Sequence, residues 1–246
     1  MAVLDETQQV AQQYKRILSI IAETAIRAGR KPEDVKLVVV TKGHDVNRIR
    51  QVVEAGATRL GENYAEEAVE KQRELVGVPQ LEWHMIGHIQ SRKAELVVNH
   101  FDFIHSVDSL KLAQRLERFA SELDKKIPLL LEFNVSGEET KFGFSASEKE
   151  NWDNLLADIA AIAKLPHLHV CGLMTMAPYF EDVEKTRPVF RRLVELQNFF
   201  QKKMPDLDWH ELSMGMSADF EVAIQEGATI VRIGQAILGP RQYKEG

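Results

Sequence analysis

The chain has 246 residues, and its 31 Lys+Arg against 37 Asp+Glu leave a formal charge of −6. With 44% hydrophobic and 28% charged residues it has an ordinary globular composition, which excludes wholesale disorder, and the acidic balance without a basic run argues against a nucleic-acid platform. A single cysteine, Cys171, excludes an internal disulfide and any multi-cysteine zinc or iron–sulfur centre.

The first element is a helix. Val10, Tyr14, Ile17, Leu18, Ile21 and Ala25 recur at helical spacing until Gly29 and Pro32 stop it. Asp5, Glu6, Lys15 and Arg16 run through the same stretch, so it is no apolar signal core, and no apolar run approaches the roughly 20 residues that span a bilayer. A cytoplasmic protein is expected. Short apolar runs then alternate with helical stretches: strands are predicted at Val35–Lys42, Arg59–Asn63, Trp83–Gly87, Phe103–Asp108, Pro128–Ser136, His169–Met176, Trp209–Gly215 and Ile230–Leu238. Between them, Ile49, Val52 and Val53 give a helix face stopped by Gly56, and Asn63-Tyr-Ala-Glu66 has the spacing of a capping box opening a helix through Leu75. Further faces run from Trp152 to Ile162 and from Phe190 to Phe200. Continuously apolar strands such as Leu37 to Val40 are those of a parallel sheet covered on both sides. Eight βα units in about 250 residues predict an α/β fold, a single (β/α)8 TIM barrel with an additional N-terminal helix, as one domain over residues 1–246.

In such a barrel the chemistry collects where strands end. The first strand ends Val38-Val-Val-Thr-Lys42, which sets an ammonium at the rim of an apolar interior, where desolvation favours a partly neutral amine able to condense with a carbonyl. The alternative is a lysine that reaches solvent or pairs with a strand-end carboxylate such as Glu62. Ser213-Met-Gly-Met-Ser217 follows strand seven, with Ser217 as the N-cap of a helix through Gln225, and strand eight ends Arg232-Ile-Gly-Gln235. Loops after strands seven and eight form the recurrent phosphate site of this fold. Together they point to a phosphorylated carbonyl compound held on Lys42 as a Schiff base.

Seven ordered segments carry a resemblance: Val38-Val-Val-Thr-Lys42, Gly61-Glu-Asn-Tyr64, Trp83-His-Met-Ile-Gly-His-Ile-Gln90, Lys141-Phe-Gly143, Gly172-Leu-Met174, Leu212-Ser-Met-Gly-Met-Ser-Ala-Asp219 and Val231-Arg-Ile-Gly234. Over nearly its whole length the chain resembles the pyridoxal phosphate homeostasis proteins, which have the fold of the N-terminal barrel of alanine racemase. The resemblance implies pyridoxal 5′-phosphate (PLP) on Lys42, with Ser213, Ser217 and Gly234 around its phosphate. Gln235 stands where the family usually has threonine, so only its backbone N–H carries over. Likewise Gln90-Ser-Arg-Lys93 departs from the usual Asn before the Lys. Arg232 matches the arginine that racemases of this fold place against the pyridine nitrogen. A guanidinium only donates, so that nitrogen stays an unprotonated acceptor and the ring a weak electron sink. Arg232 paired with Glu211 or Asp219 is the competing reading. Asn63 is expected beside the cofactor ring or as the helix cap, His84 as a pocket residue or a core histidine on a backbone carbonyl, and Met174 and Met176 as pocket walls. His44, His84, His88 and His105 fall near strand ends, but strand one closes with Thr41-Lys42 and not with paired histidines, so no metal centre is expected there. Cys171 is read as a small buried residue.

The resemblance therefore implies a protein that buffers or delivers PLP to PLP-dependent apo-enzymes, without established turnover. The first rival is an amino-acid racemase of the same fold, which needs a second acid/base that alanine racemase takes from a separate C-terminal domain; the sequence ends soon after strand eight, and a monomer is expected. The second is a Schiff-base aldolase, whose lysine belongs on strand six, where Gly172-Leu-Met-Thr-Met176 has none.

Overall fold

The computed structural model describes residues 6–78 and 80–240. Its order is α1 (Glu6–Arg27), β1 (Lys36–Val40), α2 (Val46–Glu54), β2 (Arg59–Glu62), α3 (Ala65–Glu74), β3 (Glu82–Met85), α4 (Ala94–His100), β4 (Phe103–Val107), α5 (Leu110–Glu122), β5 (Ile127–Asn134), β6 (Phe144–Ser145), α6 (Leu156–Ala163), β7 (Leu168–Met174), α7 (Arg187–Lys203), β8 (Glu211–Ser213), α8 (Phe220–Gln225), β9 (Ile230–Ile233) and α9 (Gln235–Leu238). All neighbouring strands pair in parallel in the order β4-β3-β2-β1-β9-β8-β7-β5, and a β4–β5 pairing closes the ring. The fold is the expected (β/α)8 barrel with α1 added before it. The two-residue β6 hangs on the end of β5 and lay below the sequence signal.

Each predicted strand is present, and all eight stop short of the predicted C-terminal end. The last is the clearest case: Ile230–Leu238 divides into β9 and the short α9, because Gly234 breaks the ladder and Gln235–Leu238 turns helical. Gly56, at φ 109°, ends α2 as expected. Along α1, Val10, Tyr14, Ile17, Ile21 and Ala25 are buried, while Leu18 is 39% exposed and lies off the packed face. That face covers α2, α8 and α9, so the additional helix closes the side of the barrel where β1 meets β9.

The period of two along the strands decides what the barrel holds. Leu129, Leu131 and Phe133 of β5 point outward into the core shared with the helices, whereas Leu130 points inward to Val38, Phe103, Cys171, Met174 and Ile230. The same alternation turns Glu132, His84, His105, Ser213 and Arg232 inward, and all five are buried. The interior therefore holds an apolar cluster with polar groups toward both ends, Glu211 standing buried against Lys36 where the strands begin. On β7 the pairing slips between Val170 and Gly172, leaving Cys171 as the extra residue of a β-bulge.

Candidate functional site at the barrel mouth

Lys42 is two residues beyond the end of β1, on a turn fixed from three sides. Thr41 N donates to Gly61 O at 3.0 Å, His44 N to Thr41 O at 3.2 Å, and Gly43 N to Glu67 Oε1 at 2.7 Å. Beneath the turn lies a buried ion pair. Lys71 Nζ donates to Glu62 Oε1 (2.6 Å), Glu67 Oε1 (2.6 Å) and Thr41 O (2.7 Å), and Thr41 Oγ1 donates to Glu62 Oε1 at 2.5 Å. Burial pushes the Glu62 carboxyl up to about 7, against the pull of Lys71 and Thr41. Glu62, read from the sequence as a possible partner of Lys42, thus has Oε1 committed to Lys71 and Thr41. Lys42 itself is half-buried at the rim.

The capping box at Asn63 does not form. Tyr64 is the N-cap of α3 and makes no side-chain cap bond. Asn63 Oδ1 is instead buried with no hydrogen-bond partner. A buried acceptor without a donor costs about 1–3 kcal/mol, so this oxygen is a standing demand for a hydrogen bond beside the Lys42 turn.

Inside the barrel a polar chain links four strands, β3, β4, β8 and β9. His84 Nδ1 is 2.8 Å from His105 Nε2, and His105 Nδ1 is 2.9 Å from Ser213 Oγ, while His84 Nε2, 3.5 Å from Glu82 Oε1, makes no hydrogen bond. Arg232 closes it, with Nη1 donating to Ser213 Oγ (2.5 Å) and Nη2 to Thr175 O (2.9 Å). Only the Arg232 end has a fixed direction: a guanidinium only donates, so Ser213 Oγ accepts from it. Burial, with His84 and Arg232 nearby, holds the pKa of His105 well below the usual histidine value, consistent with a neutral ring. His84 thus bonds the ring of His105 and not a backbone carbonyl. It is an interior link. The hydroxyl of Ser213 is likewise occupied on both sides.

Arg232 is buried, and desolvation lowers it to about 10 while Glu132 and Asp219 pull the other way. Glu211, one of its two expected partners, is paired with Lys36. Asp219 does face Arg232, and it also fixes the loop after β8 by accepting from Met216 N at 2.6 Å. Burial pushes Asp219 upward. The missed residue is Glu132. Burial and the nearby Asp108 push it up to about 7, opposed by Arg232 and Lys141, and its Oε2 has no partner. Its signal was a lone acid at an inward position of the apolar stretch Leu129 to Phe133.

The loops after β8 and β9 come together as expected. Ser217 is not the N-cap of α8, a place taken by Asp219. Its Oγ instead accepts from Ala236 N at 3.4 Å, tying the Met214–Ser217 loop to the first turn after Gly234. Gly234 is required by close approach: a Cβ there would stand 2.9 Å from Val40 O and 3.1 Å from Val40 Cβ, so its absence lets the end of β9 lie against the end of β1. Gln235 is exposed, and Met174 is fully buried at the end of β7. The structure thus brings Lys42, Asn63, Arg232, Ser217 and Gly234 to one end of the barrel, with Met174 beneath. A hollow of about 440 Å³ opens beside that mouth, lined by His88, Asp108, Lys141 and Phe142 among others. His88 Nδ1 is 3.1 Å from Asp108 Oδ2, and its ring stacks on Phe142 with centroids 3.8 Å apart.

Residues 5–242 match the family model of the alanine racemase N-terminal domain. A pyridoxal phosphate homeostasis protein of Vibrio alginolyticus is 40% identical over 238 residues, covering 95% of this chain and 98% of that one. A protein of the same name from Escherichia coli K12 is 38% identical over 240 residues, covering 96% and 98%. Among solved structures, PipY of Synechococcus elongatus PCC7942 with PLP bound superposes with a TM-score of 0.77 at 37% identity, over 89% of this chain and 100% of that chain. Alanine racemase of Clostridium difficile 630 shares the fold at a TM-score of 0.68 and 18% identity, over 92% of this chain and 56% of that one. The chain belongs to the alanine racemase N-terminal domain family and, within it, to the pyridoxal phosphate homeostasis proteins.

Proposed function

We propose that this protein binds PLP at the barrel mouth and serves intracellular PLP homeostasis, holding the cofactor and releasing it to PLP-dependent apo-enzymes, without turnover of its own. The observation that carries the reading is the match over nearly the full length to PipY, a structure solved with PLP bound. The residues at the mouth fit such a group. Lys42 supplies an amine at the rim of the barrel, Asn63 Oδ1 an acceptor in need of a donor, and Ser217 and Gly234 the paired loops for a phosphate.

When bound, PLP supplies a carbonyl carbon for amines and a pyridine ring able to draw electrons from them. Lys42 is the covalent anchor. Arg232, held by Ser213 and Thr175, keeps a permanently protonated donor in the interior, and two of its five N–H groups take those bonds. A pyridine nitrogen placed against it would remain an acceptor, and the ring would be a weak electron sink. Ser213, itself 2.9 Å from His105 Nδ1, and Thr175 O fix the orientation of Arg232. Among the described residues, no helix is long and apolar enough to cross a membrane. The reading takes the protein as a cytoplasmic monomer.

The purified protein is expected to absorb visible light and to restore activity to an added PLP-free aminotransferase, while alanine enantiomers interconvert negligibly in its presence. A colourless protein that PLP cannot stain contradicts the binding. Efficient alanine racemisation contradicts the non-catalytic role.

A further inference from the structure

The opposite end of the barrel carries a second cluster. There β7 begins Leu168-His-Val-Cys171, and alternation sets His169 and Cys171 on the same side of the strand. Asp208, from the segment that leads into β8, joins them. A ring nitrogen of His169, the sulfur of Cys171 and a carboxylate oxygen of Asp208 all lie within 4.8 Å of one another. The carboxylate is already oriented: its Oδ1 is 2.5 Å from His210 Nδ1, while its Oδ2 stands 3.7 Å from His169 Nε2. That second distance is too long for a hydrogen bond. It is within a few tenths of an ångström of the separation between two donors each about 2.1 Å from one tetrahedral ion. A ligating carboxylate whose other oxygen is held by a neighbouring side chain is the usual outer-sphere support of a metal site.

We propose that His169, Cys171 and Asp208 form a three-ligand site for a divalent ion of the zinc class, with water as the fourth ligand. The donor set selects the ion. One imidazole, one thiolate and one carboxylate suit zinc, whereas calcium and magnesium take oxygen ligands. Cys171 Sγ now donates to His169 O at 3.4 Å, so binding replaces that S–H by an S–metal bond and releases the proton to solvent. Burial holds the free thiol up at about 11, and it is no nucleophile without a metal. His169 is separated from Met174 at the mouth end of β7 by five residues of strand, roughly 16 Å. The ion therefore pins the start of β7 to the approach to β8 and takes no part in holding a cofactor at the mouth.

Equilibrium dialysis of the full chain against micromolar Zn²⁺, followed by elemental analysis, tests this. One zinc per chain is expected, weakened at least tenfold by His169→Ala and by Cys171→Ser, and unchanged by His100→Ala, whose ring bonds Gln72 far from the cluster. Zn²⁺ is expected to raise the unfolding temperature of the parent chain and not of the first two variants. Cd²⁺ is expected to produce a near-ultraviolet thiolate band that Cys171→Ser removes. His169 is exposed, so His169→Ala leaves the fold intact and decides the matter even where Cys171→Ser does not fold. No retained zinc, or zinc that His169→Ala leaves in place, overturns the site. Zinc lost in His169→Ala but kept by a folded Cys171→Ser overturns the thiolate ligand.

Discussion

Replacing Arg232 with methionine is expected to cost about 3–5 kcal/mol of stability at pH 8 and distinctly less at pH 5. Methionine fills a similar volume but leaves Glu132 and Asp219 in the barrel without their cation. The pH dependence comes from Glu132. Its folded value, about 7, lies above that of an unfolded glutamate, so the fold binds its proton more tightly than the unfolded chain does. From about pH 4.5 to 7 this group therefore makes stability fall as pH rises, and above 7 the fold contains a buried carboxylate that leans on Arg232. Without Arg232 the carboxyl titrates higher still, and the loss continues past 7. At pH 5 Glu132 is neutral in both proteins, and what remains is the lost bonds to Ser213 and Thr175 and the exposure of Asp219 to a cation-free interior. Urea unfolding at the two pH values measures this. An equal loss at both would show that Glu132 is not the group that Arg232 neutralises. Arg232→Glu adds a third carboxylate to the same place and is expected to be worse than methionine at pH 8.

The second large effect is steric. At Gly172, on β7 opposite Glu211, a Cβ would stand 1.9 Å from Glu211 O and 2.7 Å from Glu211 C, and φ is 151°. The atoms in the way are backbone of the neighbouring strand, so the barrel must open for the methyl group to fit. Gly172→Ala is expected to cost more than about 4 kcal/mol, or to prevent folding. Gly29→Ala is the control. Its φ is 71° and no atom lies within 4 Å, so only the left-handed backbone is penalised, by about 1–2 kcal/mol. A Gly172→Ala protein within about 1 kcal/mol of the parent would mean that β7 and β8 are not as closely joined as described.

What the sequence made legible follows from the range of each interaction. Strands announce themselves by local apolar runs, so all eight barrel strands were found, while their C-terminal ends were overdrawn because loop residues such as Thr41 and Val135 are themselves buried. Lys42, Arg232 and Gly234 were legible because each sits at a strand end, which in this fold is a place as well as a residue. Asn63 was ambiguous by spacing alone. A capping box and a pocket residue share the same letters, and the fold rules out the first: Tyr64 is the N-cap and Asn63 Oδ1 is left unpaired. The chain from His84 through His105 and Ser213 to Arg232 was not legible. It needs the registers of β3, β4, β8 and β9 at once, and no local pattern in the sequence carries four registers. Glu132 was visible as an acid among leucines, yet its partner lies 100 residues away on β9.

The central claim is that Lys42 is the covalent anchor of the cofactor. Reduction of the PLP-loaded protein with borohydride, then proteolysis and mass spectrometry of the pyridoxyl-labelled peptide, tests it directly. The label is expected on Lys42 alone, with Lys42→Ala giving a protein that borohydride leaves unlabelled. A label on Lys93, or on Lys141 beside the neighbouring hollow, would contradict the assignment.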